Sequence, residues 1–189
     1  MDSYIEIRLL PDFELDGNFL LNSLCSKLHV VLSNAGAGRI GLSFPEFKLY
    51  GRSLGQKVRL HGHAADLQKL MAANWLQGLR DYCHCSEIAT VPANARQCYF
   101  ARIQQKSAEN KRRRSVKKGW LTEEQALSQI PENGQKQLRL PYLQLKSRTT
   151  QQQLMVFIEQ GPVTDLQVIG TFNSYGLSRS SEKVTVPWF

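Results

Sequence analysis

The first ninety residues switch between a two-residue and a 3.6-residue hydrophobic period, and the order of those switches limits what the chain can fold into. Residues 4–10 alternate, with Ile5, Ile7 and Leu9 on one side, as in a half-buried strand. Pro11 and Asp12 end it. From Asn18 to about Ser33 the period is helical: Leu20, Leu24, Leu28 and Val31 form one stripe, with Leu21, Cys25 and Leu32 beside it. The run Asn34-Ala35-Gly36-Ala37-Gly38 stops that helix. Residues 40–44 and 56–62 read as strands, separated by a loop containing Gly51-Arg52-Ser53. Residues 65–80 read as a helix with a break near Asn74, and 82–91 as a fourth strand. Strand, helix, strand, strand, helix, strand is the ferredoxin-like order. The open sheet face of such a fold often serves as an RNA platform, but the aromatic pair of an RNA-recognition motif is missing here.

Pro92-Ala93-Asn94-Ala95 reads as a link, which divides the chain into a ferredoxin-like domain over 1–93 and a second, β-rich domain over 94–189. The predicted fold class is therefore α+β. In the second half, 98–104 alternates as a strand. Ser107 is placed to cap a helix over 108–118, with Glu109 in its first turn and Gly119 just past its end. That helix carries Lys111, Arg112, Arg113, Arg114, Lys117 and Lys118, and only Ala108 and Val116 are apolar. It has no hydrophobic face with which to dock on a core, and its six cations repel one another unless an anion lies among them. Thr122-Glu123-Glu124-Gln125 is a capping box for a short helix ending before Pro131. Residues 142–146, 154–159, 166–172 and 183–187 read as strands.

Charge follows the same division. Residues 1–90 hold nine basic and nine acidic residues, whereas 91–189 hold fifteen basic and seven acidic. All of the net +8 thus lies in the second half. A neutral scaffold joined to a basic region points to a polyanion, and nucleic acid is the first candidate. No apolar run approaches the ~18 residues of a membrane span, and the start has neither the basic nor the apolar region of a signal peptide. A soluble, cytoplasmic protein with reduced thiols is expected, with no membrane partner.

Few residues offer chemistry. His29 falls at the edge of the helical stripe, four residues after Cys25. On the residues alone it reads as a partly buried helix histidine satisfied by hydrogen bonds, although a boundary position can also reach a ligand. Cys25, His29, Cys83, His84 and Cys85 invite a zinc reading, but there is no C-x-x-C pair, and reduced, half-buried cysteines fit better. His61 and His63 share one face of a strand and read as surface residues. There is no G-x-S-x-G, P-loop or dinucleotide fingerprint. Paired acids are too sparse for a two-metal nuclease, so no metal or other cofactor is expected. Cutting RNA needs none, because the 2′-hydroxyl is itself a nucleophile; a proton acceptor, an orienting group and charge stabilisation suffice.

Several segments carry a specific resemblance. They are Tyr4-Ile5-Glu6-Ile7-Arg8-Leu9, Ser26-Lys27-Leu28-His29, Arg39-Ile40-Gly41-Leu42-Ser43-Phe44-Pro45 and Leu76-Gln77-Gly78-Leu79-Arg80-Asp81. Arg102-Ile103-Gln104 with Lys106-Ser107, the basic helix, Tyr175-Gly176-Leu177-Ser178 and Val186-Pro187-Trp188-Phe189 continue the series. In order and spacing they resemble the CRISPR repeat-processing endoribonucleases of the type I-F system. The resemblance implies a ferredoxin-like first half and metal-independent cutting at the 3′ base of the repeat stem-loop. It also implies two kinds of partner: the crRNA 3′ stem-loop, and the other protein subunits of the type I-F surveillance complex. Without the family, a non-cleaving subunit that only holds an RNA hairpin fits the same composition.

Residue by residue, the resemblance gives His29 the role of catalytic histidine acting on the 2′-hydroxyl proton. Ser147 matches the serine that constrains the ribose, and Tyr175 the tyrosine that orients the histidine. Arg102 and Gln104 match a pair that reads bases near the foot of the stem, and both residue types form bidentate contacts with purines. Lys106, Lys111, Arg112, Arg113 and Arg114 belong to the expected RNA-binding set. Lys117 and Lys118 stand where the family has arginines, which keeps the charge and loses the fork. Thr149 replaces a serine. Leu154 replaces a phenylalanine that stacks on the lowest base pair, so it packs there without a π face.

Overall fold

A computed structural model describes residues 1–36, 38–104, 108–131, 138–146 and 152–189. The fold is mixed α+β, and the chain forms two compact units: Met1–Ile103 with Leu140–Phe189, and Gln104–Arg139. In chain order the elements are β1 (Ser3–Leu9), α1 (Gly17–Val31), β2 (Gly41–Ser43), β3 (Lys57–Gly62), α2 (Ala64–Ala72), β4 (Cys83–Cys85) and β5 (Ala89–Thr90). Then follow β6 (Arg96–Cys98), β7 (Phe100–Ile103), α3 (Ala108–Lys117), α4 (Glu123–Gln129), β8 (Tyr142–Lys146), β9 (Gln153–Gln160) and β10 (Val186–Trp188).

The larger unit is built around β1, whose alternation buries Ser3, Ile5, Ile7 and Leu9. It pairs antiparallel with β3 from Ser3↔Gly62 to Arg8↔Lys57, and with β4 and β5 on its other side. The strand order is β2-β3-β1-β4. Helix α1 buries Leu20, Leu21, Leu24, Cys25 and Leu28, as its stripe predicts. Each buried leucine contributes about 1.5–3 kcal/mol of transfer free energy. The same core takes in Phe100, Val156, Ile158 and Val186 from the other two sheets, which run β7-β9-β8 and β10-β6, and Leu177 from the loop before β10.

The smaller unit pairs α3 with α4. Gly119 at φ +68° closes α3, with Trp120 N–H donating to Ser115 C=O at 3.0 Å and Gly119 N–H to Val116 C=O at 2.9 Å. The predicted capping box opens α4: Thr122 Oγ1 accepts from Gln125 N–H at 3.2 Å, and Gln125 Oε1 from Thr122 N–H at 3.0 Å. Ser107, expected to cap α3, lies outside the described residues.

Several elements differ from the sequence pattern, each for a local reason. The helix expected over 65–80 ends at Ala72, where Asn74 takes φ +48°. The strand expected over 82–91 is split into β4 and β5 around Ser86, which bonds Glu6 through both its hydroxyl and its amide. The strand expected over 98–104 breaks at Tyr99, because β6 pairs with β10 whereas β7 pairs with β9. Residues 166–172 form no strand: Val168 exchanges bonds with Thr185, but no ladder continues, and Ile169 is 87% exposed. The last strand starts at Val186 rather than 183, since Lys183 sits at φ +53°. Among the described residues no helix is long and apolar enough to cross a membrane.

The two histidines expected on the surface part company. His63 lies past β3, exposed, with Nδ1 at 3.0 Å from Asp2 Oδ2. His61 is fully buried instead, its Nε2 at 2.8 Å from Ser43 Oγ and its Nδ1 without a partner among the described residues. Burial pushes its pKa down to about 3, with Arg59 and the amino terminus adding to the effect. The unfolded chain therefore binds a proton that the folded chain refuses, and stability falls as pH drops below about 6.5. From pH 7 to pH 5 this group alone should remove about 2 kcal/mol. Urea unfolding of wild type and His61→Gln at both pH values checks it: the loss should shrink in the variant, and an equal loss in both would assign it elsewhere.

Candidate active site

Helix α1 sets the position of His29. Leu28 and Leu32 are buried on its core side, and His29, one position on from Leu28, falls at the boundary and is half-buried. A tight turn over residues 173–177 supplies the rest. Asn173 Oδ1 accepts from Tyr175 N–H at 2.8 Å and from Leu177 N–H at 3.2 Å, while Gly176 N–H donates to Asn173 C=O at 2.9 Å. Gly176 takes φ +69°, and a Cβ there would lie 2.3 Å from Leu42 Cδ1, so only glycine fits. Leu42 N–H donates to Gly176 C=O at 2.7 Å, and Ser178 N–H to Phe100 C=O at 2.8 Å. The turn is thereby held on β2 at one end and on β7 at the other.

This turn lays the Tyr175 ring on the His29 imidazole, with centroids 4.0 Å apart and planes within 6°. It also brings Ser174 C=O to 3.0 Å from His29 Nδ1. A carbonyl only accepts, so Nδ1 carries the hydrogen and the lone pair of the neutral ring is on Nε2. That is the tautomer a proton acceptor needs. Arg102, on β7, lies with its guanidinium carbon 5.1 Å from the Tyr175 centroid. None of its side-chain nitrogens has a hydrogen-bond partner among the described residues, and Nε is buried.

His29 with its Nδ1–H fixed, the stacked Tyr175 and Arg102, which has no hydrogen-bond partner among the described residues, lie together, an arrangement able to move a proton beside an anion. The chain matches the family model for CRISPR-associated protein (Cas_Csy4) over residues 4–189. The chain belongs to the Csy4 family. Two relatives named CRISPR-associated endonuclease Cas6/Csy4 align with it over 190 residues, covering 100% of both chains. The one from Escherichia coli (strain UTI89 / UPEC) is 44% identical, and the one from Pseudomonas aeruginosa (strain UCBPP-PA14) 40%. The family resemblance seen in the sequence motifs is borne out.

In this Csy4-family chain the residues picked from sequence separate into groups. His29, Tyr175 and Arg102 come together. Ser147, Thr149 and Lys106 lie outside the described residues. Leu154 is the second residue of β9, opposite Leu145 and 36% exposed. β7 stops at Ile103, one residue short of the strand expected over 98–104, and leaves Gln104 outside it and exposed. Lys111, Arg112, Arg113, Arg114 and Lys117 lie on α3, and Lys118 follows it. Arg112 Nε donates to Ile130 C=O at 2.7 Å, and Lys118 Nζ sits 4.6 Å from the Trp120 ring centroid. The cysteines are thiols; Cys25, Cys83 and Cys98 are buried and Cys85 half-buried, and burial pushes the Cys25 pKa up to about 12.

Sequence reasoning missed Asn173 and Ser174. An Asn three residues before a Gly is a turn signal, and it marked the spot. Replacing Asn173 with Ala leaves two amides of the turn without their acceptor. The expected cost is about 1–3 kcal/mol in urea unfolding, together with a shift of the His29 ring resonances in NMR. Unchanged stability and unmoved resonances would mean the turn is held without this side chain.

Proposed function

We propose that this chain is a metal-independent endoribonuclease that binds the stem-loop of a CRISPR repeat and cuts at the 3′ base of the stem. Membership of the Csy4 family and the endonuclease names of its relatives support the class. The observation that carries it is His29: stacked on Tyr175, with Nδ1 donating to Ser174 C=O and Nε2 left as acceptor. In the reaction Nε2 takes the 2′-hydroxyl proton. The 2′-oxygen attacks the adjacent phosphorus, the 5′-oxygen leaves, and the upstream product ends in a 2′,3′-cyclic phosphate. Tyr175 holds the ring, and Ser147 constrains the ribose that carries the nucleophile.

The remaining residues bind. Arg102 brings a fork with no hydrogen-bond partner among the described residues, suited to a guanine O6/N7 edge, and Gln104 reads an adjacent adenine. Lys106, Lys111, Arg112, Arg113, Arg114, Lys117 and Lys118 supply phosphate contacts in the major groove of the stem, while Thr149 and Leu154 meet its foot. The antiparallel order β2-β3-β1-β4, with α1 and α2 in the connections, supports a ferredoxin-like first half over 1–93, and 94–189 carries most RNA contacts. The product hairpin stays bound, and with it the protein enters the crRNA-guided surveillance complex beside other subunits.

End-labelled repeat RNA in excess EDTA tests the chemistry. Wild type should make one cut at the 3′ foot of the stem. His29→Ala should lose about 10²–10⁴-fold in rate while binding within a few-fold of wild type. Tight binding without a cut by wild type would leave a hairpin-holding subunit instead. The basic helix has its own test: replacing Lys117 and Lys118 with Gln should lower the slope of log K against log salt by up to about two counterions. An unchanged slope would take both lysines off the phosphates.

A further inference from the structure

Helix α1 carries a second set of side chains that the active site does not use. Phe19, Ser26 and Lys27, together with Gln144, Lys146 and Gln153 of β8 and β9, line a groove of about 430 Å³. Its walls are tied together: Asn22 Oδ1 accepts from Gln144 N–H at 2.9 Å, and Gln144 Nε2 donates to Gln153 Oε1 at 2.8 Å. Among the described residues the lining contains two cations and several amides and hydroxyls, and no carboxylate. Lys27 is held in place by donating to Gln77 C=O at 2.9 Å, and Lys146 has no ion pair among the described residues. Phe19 is 56% exposed, in the first turn of the helix. An exposed aromatic ring, cations and amides without acids are the set that binds unpaired nucleotides, by stacking on the base and drawing in the phosphate. The groove is too small for a duplex.

Its position gives it a use. Asn22, Ser26 and His29 stand at i, i+4 and i+7, one row along α1, so the groove side of the helix leads to the histidine. Lys146 immediately precedes Ser147, and Gln153 immediately precedes Leu154. Along the chain the groove residues Lys146 and Gln153 are thus next neighbours of Ser147, assigned above to the ribose at the cut, and of Leu154, assigned to the foot of the stem. We infer that it binds single-stranded RNA flanking that foot, stacking a base on Phe19 with Lys146 on its phosphate. This rests on the proposed function and extends it: the enzyme reads the strand beyond the hairpin as well as the hairpin.

The test measures binding of the full chain to three RNAs, each with a 2′-deoxy sugar at the cut site so that nothing is cleaved. One is the bare repeat hairpin with its scissile phosphate, one adds a short 5′ flank, and one extends the 3′ flank. One flank should tighten binding at least about fivefold in wild type. A gain with the 3′ flank assigns the leaving strand, and a gain with the 5′ flank assigns the strand that enters the stem. Phe19→Ala with Lys146→Gln should lose the gain and bind the bare hairpin as wild type does, while Phe19→Tyr should keep it. Bare-hairpin binding with no gain from either flank, or a gain that survives in the double variant, overturns the inference alone. Failure to bind the bare hairpin overturns the proposed function and this inference with it.

Discussion

The candidate active site depends on how the turn over residues 173–177 is seated. Leu42 N–H donating to Gly176 C=O, at 2.7 Å, fastens the turn to β2, and Gly176 alone allows the approach because a Cβ would run into Leu42. Once the turn is seated, the Ser174 carbonyl and the Tyr175 ring arrive at His29 together. One backbone contact therefore decides both the tautomer and the plane of the imidazole. The helix supplies the histidine, and a segment some 145 residues later in the chain tells it which nitrogen keeps the hydrogen.

Solvent explains why one chain treats its histidines so differently. His61, within β3, is fully buried with Ser43 as its one polar partner among the described residues, and desolvation holds it neutral. His29 sits at the edge of the same core, where one nitrogen is spoken for and the ring still meets water. The hydrophobic stripe of α1 makes this difference. Its leucines set the rotation of the helix, and the rotation brings His29 to the boundary.

Much of the fold was legible from side-chain periodicity. The strand over β1, the stripe of α1, the Gly119 stop and the Thr122 capping box all follow from local patterns that hold whatever the rest of the chain does. The misreadings occur where pairing is decided at a distance. Tyr99 marks a change of partner strand that alternation cannot show, and residues 166–172 have strand-like composition without a neighbour to complete a ladder. His61 was misplaced because a His-x-His pattern says which side chains share a face, and not which face the core covers. At the site, His29 alone was ambiguous. The family motifs singled out Tyr175 and Arg102, and the turn signal from Asn173 to Gly176 marked the segment without showing that Ser174 acts through its backbone carbonyl.

By itself the sequence determined the α+β class, the boundary position of His29 and the concentration of positive charge beyond residue 90. These are properties of neighbours in the chain, governed by sterics, periodicity and charge count. Only the tertiary structure decided that Tyr175 and Ser174 meet His29, that Arg102 lies against the same tyrosine, and that α1 and the β8–β9 pair line one groove. Those contacts join residues far apart in the chain. They exist because burying one shared core brings three sheets and a helix to the same place, and no local pattern encodes the point where they meet.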